Sequence, residues 1–449
     1  MATPARDPAG PAAGFWHDGR VIEQEPVAAR RRPRPRVVVL GAGFGGLHAT
    51  LGLAGATVDV VLVDRDNYHG FWPLLYQVAT AGLAPEDIAH PIRAIVARQA
   101  NVAVRRARAT AIDLDERVVQ VDEGAAIPYD YLVVAVGSSL SDYGIPGVRS
   151  HAFGLKTLPE AVRLRNHILG AFEAADSDPA GAPEGLLTFV LAGGGPTGVE
   201  MAGALAELIG TNLAVDFPHL DVSAARVVVL EATSRLLNGF SARSQAEAHS
   251  TLVARGVEVL LDAPLAEVTE AGVRLVDGRE LASRTVVWTA GVRANPLADS
   301  LATPRAPNGT VEVEADLSLP GHPEVFVIGD MARRAGRGGA PLPQLAQVAI
   351  QGGRHAARSI GQRLEGRPTR PFRYHNHGIM ATIGRRSAVA ELPGGLTLRG
   401  TLGWLSWLGV HLVFLVGFRN RVVVLFNWAW NYLTWDRASR VLLEEGDDG

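Results

Sequence analysis

Two stretches of the chain repeat one hydropathy pattern. Val37-Val38-Val39-Leu40 is an unbroken aliphatic run that enters Gly41-Ala42-Gly43-Phe44-Gly45-Gly46. It continues through small and apolar residues to Leu53 and reaches Val58-Asp59-Val60-Val61-Leu62-Val63-Asp64. Leu186 to Ala192 leads in the same way into Gly193-Gly194-Gly195-Pro196-Thr197-Gly198, a helical stretch from Val199 to about Thr211, and Arg226-Val227-Val228-Val229-Leu230-Glu231. Continuous apolar runs predict parallel strands covered on both faces. Gly-x-Gly-x-x-Gly between such a strand and a helix predicts a tight turn whose free N–H groups receive a pyrophosphate. Two copies of one unit predict two dinucleotides.

Each second strand ends in an acid that can hold ribose hydroxyls. Asp64 stands about 23 positions after Gly41, close to the usual interval of about 20. Glu231 lies well beyond that interval, because a long helix and a loop through Pro218-His219 intervene. A carboxylate at Glu231 repels a 2′-phosphate, so NADH is expected over NADPH. Between the two units, Phe71 to Gly82 is an apolar, aromatic segment, and Val102 to Val121 alternates as antiparallel strands do. Tyr129 to Gly137 is a further buried strand, Pro159 to about Ala175 a helix, and Asp176 to Gly185 a Pro/Gly/Asp-rich linker. Thr285 to Gly291 reads as a strand returning to the first unit, and Glu324 to Asp330 as a strand ending Gly329-Asp330 at the carboxyl edge of the sheet, where α/β folds bind ligands. The fold class is therefore α/β, with a discontinuous first Rossmann-like domain (36–150 and 285–372) and a second inserted at 151–284.

Residues 1–35 are rich in Pro, Ala and Arg without apolar periodicity and are expected to be a disordered extension. Arg30-Arg31-Arg32 invites a twin-arginine reading, but the apolar run behind it is already the first nucleotide strand. A formal net charge of −3 argues against a nucleic-acid partner. The absence of cysteine excludes dithiol chemistry and thiolate metal sites, and no metal-ligand spacing occurs. Lys156 is the sole lysine.

Region 373–449 changes character. Leu402 to Phe418 carries no charge beyond a potential one on His411, and Val422 to Trp435 follows Arg419-Asn420-Arg421. Both runs fall short of the ~20 residues of a spanning helix. Five of the eight tryptophans lie here: Trp404, Trp407, Trp428, Trp430 and Trp435. Tryptophan beside arginine suits a membrane interface, so amphipathic helices lying in the cytoplasmic leaflet are expected.

Residues 36–440 resemble the type II NADH dehydrogenases, single-subunit NADH:quinone oxidoreductases of the two-dinucleotide flavoprotein superfamily. The resemblance rests on both glycine motifs, on Gly329-Asp330, on Gly195 to Glu200, on Met380 to Arg385, and above all on Ala346-Gln347-Val348-Ala349-Ile350-Gln351-Gly352-Gly353. It implies FAD at Gly41, Gly43, Phe44, Gly45, Gly46, Asp64, Ala109, Gly137, Gly329, Asp330 and Gln347. It implies NADH at Gly193, Gly195, Gly198, Glu200, Glu231 and Gly291. Gln347 and Gln351, four apart on one helix face, would donate to quinone carbonyls, and Glu200 would stand near the nicotinamide or on a proton route. An acid in a first helical turn is also favoured by the helix dipole alone. Where relatives often carry lysine this chain has His377, which with His375 is a proton-donor candidate. The quinone's type and the oligomer, a homodimer included, stay open. Other readings of the same motifs are a reductase serving a protein acceptor such as a ferredoxin, and a membrane redox sensor without turnover.

Overall fold

The computed structural model describes residues 16–17, 20–21, 34–336, 338–415, 418–434 and 439–442. Most of the expected disordered extension, and Trp435, lie outside the described residues.

β1 (Arg36–Leu40) enters the first glycine turn, α1 (Phe44–Gly52) leaves it, and β2 (Asp59–Asp64) pairs parallel to β1 with Val37 opposite Val60. The aromatic segment behind β2 winds into α2 (Leu75–Ala79), buried throughout. β3 (Val102–Arg106) pairs parallel to β2, and β4 (Tyr131–Val134) pairs parallel to β1 on its other side. The antiparallel expectation for 102–121 is therefore corrected. Only Ala109–Asp113, Val118–Val121 and Ile127–Pro128 form an antiparallel layer. β3 is an edge strand without a single fully buried residue, and half-covered strands alternate whichever way they pair.

α3 (Leu158–Ser177) starts at a capping box, in which the Glu160 carboxylate accepts from Thr157 N–H at 2.8 Å. β5 (Thr188–Ala192), α4 (Pro196–Glu207) and β6 (Arg226–Leu230) repeat the opening unit. α4 runs on through a π-helical turn, Leu208–Leu213, which absorbs part of the long interval to Glu231. β7 (Thr285–Trp288) is a second correction. It does not return to the first sheet but pairs parallel with β5 and with Ala152–Gly154 inside the second sheet. Its sequence, buried at every position, suits an interior strand of either sheet, so hydropathy could not choose. The crossing back is made by Ser138–Leu140 against Val292–Ala294.

β8 (His322–Val327) pairs parallel with β4, and Ser318–Leu319 pairs antiparallel with β8 at the edge of the first sheet. Odd and even positions of β1 feed two cores: Val37 and Val39 pack under α1 and α5 (Ala346–Leu364), while Val38 and Leu40 face the antiparallel layer. The α1–α5 contact is so close that a Cβ on Gly353 would stand 2.1 Å from the Gly45 carbonyl oxygen. At its far end α5 is tied to the sheet by Arg363 and Thr369, which donate to Asp316 Oδ2 at 2.8 and 2.5 Å. Burial alone would raise the Asp316 pKa; hydrogen bonds from Ser318, Thr369 and Arg363 overcome this and hold it at about 2.

The region 373–449 was expected to be membrane-associated throughout. Instead β9 (Ile379–Thr382), β10 (Ala388–Glu391) and β11 (Thr397–Arg399) form an antiparallel sheet packed on α4, and only then do α6 (Gly400–Phe414) and α7 (Phe418–Thr434) follow. No described helix is long and apolar enough to cross a membrane. α7 is keyed to the body by polar contacts: Asn420 donates to the carbonyls of Glu86, Asp87 and Ala89 at 3.3–3.4 Å, and Trp428 donates to Gln77 Oε1 at 2.9 Å.

Asp316 supplies a test of the α5 tether. Its folded pKa lies below the unfolded value, so its stabilisation is complete above the ordinary carboxylate range and is lost as pH falls towards about 2. Denaturant melts of Asp316→Asn should show a deficit against wild type that is constant above about pH 5 and closes between pH 4 and 2. A deficit indifferent to acid would disprove the charged tether.

Candidate active site

The first glycine turn is held at Ala42, through its N–H and its carbonyl. Ala42 N–H donates to Asp64 Oδ2 at 2.5 Å, and the Ala42 carbonyl accepts from His69 Nδ1 at 2.7 Å. Burial drives the His69 pKa down to about 4, so the ring is neutral and carries its proton on Nδ1 to make that bond. Asp64 Oδ1 also accepts Asp66 N–H, and burial pushes its carboxyl above the usual range. The second unit is built alike: Glu231 Oε2 accepts Gly194 N–H at 2.8 Å, and Oε1 accepts the Thr233 N–H and hydroxyl at 2.9 and 2.7 Å. Both acids therefore shape their loops first, while a carboxylate's remaining lone pairs can still meet a ribose. Gly46 and Gly198 match in the same way. A Cβ on either would stand 1.8 or 1.9 Å from the carbonyl of Gly41 or Gly193.

A cavity of about 940 Å³ runs along the carboxyl edge of the first sheet. That is the upper end of the roughly 300–1,000 Å³ found for ligand clefts and suits a long dinucleotide. Gly41, Gly43, Phe44, Gly45, Asp64, Ala109, Gly137, Gly329 and Asp330 line it, as does Glu200. Nothing lies within 4 Å of where a Cβ on Gly43 would project, so backbone faces the cavity there. This cradle fits FAD. Gly46 is packed behind the loop. Gly193, Gly195, Gly198 and Glu231 are in the second unit, outside this cavity, and Gly291 sits against the Tyr143 ring.

At the far end stand groups the sequence did not single out. Ser138 Oγ donates to Asp330 Oδ2 at 2.6 Å, Lys156 Nζ lies 3.8 Å from the same oxygen, and Gln344 donates to the Asp330 carbonyl at 2.8 Å. Lys156 lines the cavity. The one available signal was its rarity, a single lysine in a chain that otherwise uses arginine.

Thr197 and Glu200 bring the first turns of α4 to the same cavity, so the second unit faces what the first unit cradles. Glu200 is buried, and its carboxyl accepts Thr382 N–H at 3.3 Å. Burial raises its pKa to about 8; the Thr382 bond and the nearby Trp407 indole oppose the rise only in part. At neutral pH the raised value keeps the carboxyl protonated.

Gln347 and Gln351 occupy one face of α5, but their amides point to backbone. Gln351 donates to the His375 carbonyl at 2.8 Å and accepts His375 N–H at 2.9 Å. Gln347 donates to the Gly378 carbonyl at 2.8 Å and accepts His377 N–H at 2.9 Å. Each amide is a two-point clamp on segment 375–378, and each Nε2 keeps a second hydrogen beyond the clamp. The sequence could not reveal this, because the partner is main chain 24 to 31 residues away. His375 and His377 are exposed. His411 is half-buried, stacked on Trp407 at 4.1 Å, and loss of solvent lowers its pKa to about 4, so it brings no charge into α6. Among the described residues no cluster of His, Asp or Glu could hold a metal.

The pyridine nucleotide-disulphide oxidoreductase family description matches residues 35–353, and the NDH2 C-terminal domain matches 376–435. Type II NADH:quinone oxidoreductase Ndh of Mycobacterium tuberculosis is 39% identical over 439 residues, covering 94% of this chain and 93% of that protein. NdhA of the same organism, also a type II NADH:quinone oxidoreductase, is 42% identical over 417 residues, covering 89% and 87%. NDH2 of Plasmodium falciparum, solved with NADH, superposes with a TM-score of 0.82 at 18% identity, over 92% of this chain and all of that one. Two nucleotide units meeting over one cavity, capped by the NDH2 C-terminal domain, place this chain in the type II NADH:quinone oxidoreductase family.

Proposed function

We propose that the chain is a non-proton-pumping NADH:quinone oxidoreductase that works as a peripheral protein of a membrane's cytoplasmic face. The observation that carries this reading is the shared cavity: the glycine loop of one unit and Thr197 and Glu200 of the other line it together. FAD bound there supplies a two-electron carrier between a hydride donor on one side and an acceptor on the other. The protein's part is to orient and shield. Gly41, Gly43 and the N-terminus of α1 receive the pyrophosphate, Asp64 and Asp330 meet hydroxyl groups, and Lys156 brings a positive charge to the Asp330 end. The second loop, with Gly193, Gly195 and Gly198, receives NADH, and Glu231 faces its ribose. Gln347 and Gln351 act by holding segment 375–378, whose His377 stands beside the quinone. A ferredoxin-type acceptor or an inactive sensor is disfavoured by the NDH2 C-terminal domain match.

The membrane reading has a structural basis. α6 buries Gly403 and Trp407 yet exposes Leu402, Leu405, Val413 and Phe414, and α7 exposes Val422, Leu425, Phe426 and Trp430. α6 is therefore not amphipathic as expected but apolar on its inner and outer sides alike, and an apolar outer face of this extent needs lipid or protein cover. Lipid, with the quinone dissolved in it, is the cover proposed.

Steady-state NADH oxidation with a short-chain quinone tests the activity; turnover with ferredoxin and none with quinone would refute it. Glu231→Ala should erode the preference for NADH over NADPH about tenfold, corresponding to roughly 1.4 kcal/mol, and an unchanged ratio would remove Glu231 from the ribose. Gln351→Ala should raise the quinone KM and leave the NADH KM alone, with Gln351→Glu, which keeps only the acceptor half of the clamp, intermediate. Equal effects on both substrates would point to general misfolding. Glu200→Gln should flatten the pH profile of stability. A carboxyl whose folded pKa is raised favours the fold at low pH and loses that contribution as pH climbs from about 4.5 through about 8. The variant should therefore gain on wild type towards pH 9 in thermal melts, and parallel profiles would contradict the buried, protonated assignment.

A further inference from the structure

We propose, on the reading that the second glycine loop receives NADH, that the Tyr143 ring is a binding surface for the nicotinamide half of that nucleotide. It stands beside the loop, on the side that leads to the shared cavity.

Asp142-Tyr143-Gly144-Ile145 is a tight turn in which the Ile145 N–H donates to the Asp142 carbonyl at 2.9 Å. Both central residues have positive φ, 50° at Tyr143 and 75° at Gly144. That is the pattern of a type I′ turn, whose central positions are dominated by Gly, Asn and Asp. A bulky side chain in the left-handed region is strained. Burial does not offset the strain, because Tyr143 is 66% exposed. A local rule broken without a packing gain marks a position held for function.

The ring has a defined place. It lies against the Gly291 backbone, where any Cβ would run into it, and its centre is 6.5 Å from that of the Trp288 ring. Trp288 is itself fixed: its indole N–H donates to the Ser141 carbonyl at 2.8 Å, and Ser141 N–H donates to the Gly291 carbonyl at 3.3 Å.

Strand order decides which half of a dinucleotide the ring would meet. In the second sheet β5 lies between β6 and β7. The glycine loop leaves β5, and Glu231, which on this reading holds the adenosine ribose, follows β6. A pyrophosphate on the loop therefore sends the other half of NADH over the end of β7. Thr289-Ala290-Gly291 follows that strand directly. Thr289 Oγ1 donates to the Gly193 carbonyl at 2.9 Å, and a Cβ on Gly193 would stand 2.8 Å from Ala290 N. Next to Gly291, Val292 pairs with Leu140, and Leu140 lines the shared cavity. A nicotinamide reaching from the loop to that cavity passes the exposed ring of Tyr143. Tyrosine offers a flat, largely apolar surface there and loses little side-chain freedom in doing so.

The test is calorimetric titration of the FAD-loaded, full-length protein with two probes. NAD⁺ carries the nicotinamide and does not reduce the flavin, while AMP has only the adenosine half. Tyr143→Asn removes the ring and suits the left-handed turn. It should melt no lower than wild type, yet bind NAD⁺ about tenfold more weakly with its affinity for AMP unchanged. Tyr143→Phe keeps the ring, loses the hydroxyl and should match wild type with both probes. NAD⁺ affinity intact in Tyr143→Asn, or equal losses for NAD⁺ and AMP, would overturn the proposal. If NADH still bleaches the wild-type flavin, either of those results leaves the NADH reading standing; a wild type that binds neither probe and is not bleached by NADH would sink both.

Discussion

A glycine-rich turn can offer its N–H groups to a pyrophosphate only if something else keeps it in shape. Here that is a carboxylate from the neighbouring strand. Asp64 takes the Ala42 N–H, His69 takes hold of the Ala42 carbonyl, and Glu231 repeats the first contact on Gly194. Each grip fixes a loop at the end of a parallel sheet, and the sheets bring one cradle and the N-terminal turns of α4 to a common cavity. The positions of Asp330, Lys156 and Glu200 follow from that meeting.

The C-terminal part completes the site. β9 to β11 pack on α4, α6 covers β10, and Trp407 from α6 closes over Glu200. α6, one of the helices with an apolar outer face, thus helps to bury the Glu200 carboxyl. On the proposed reading, a quinone arriving from lipid would meet a wall whose inner surface carries Trp407 against Glu200. The pair of glutamine clamps on 375–378 serves the same end, fixing the strap that runs from α5 into β9.

Much of this was legible in the sequence because its signals are local. The unbroken runs Val37–Leu40 and Leu186–Ala192, the glycine spacing and the terminal acids each specify a short piece of backbone, and each formed as read. Misreadings occurred where distant partners decide. β3 alternates because it is an edge strand, β7 could have joined either sheet, and the 379–399 segment was hidden behind its apolar neighbour. For the two glutamines the spacing showed one helix face and not the main chain of 375–378 that each amide also grips. Lys156 carried no pattern at all beyond being alone.

The most direct measurement of the central claim is an anaerobic titration of the purified yellow protein, first with NADH and then with a menaquinone or ubiquinone analogue, following the flavin band. The account predicts that one equivalent of NADH bleaches the band and one equivalent of quinone restores it. Bleaching that quinone cannot reverse, or no bleaching at all, would contradict a two-sided site built to pass electrons from a nicotinamide to a quinone.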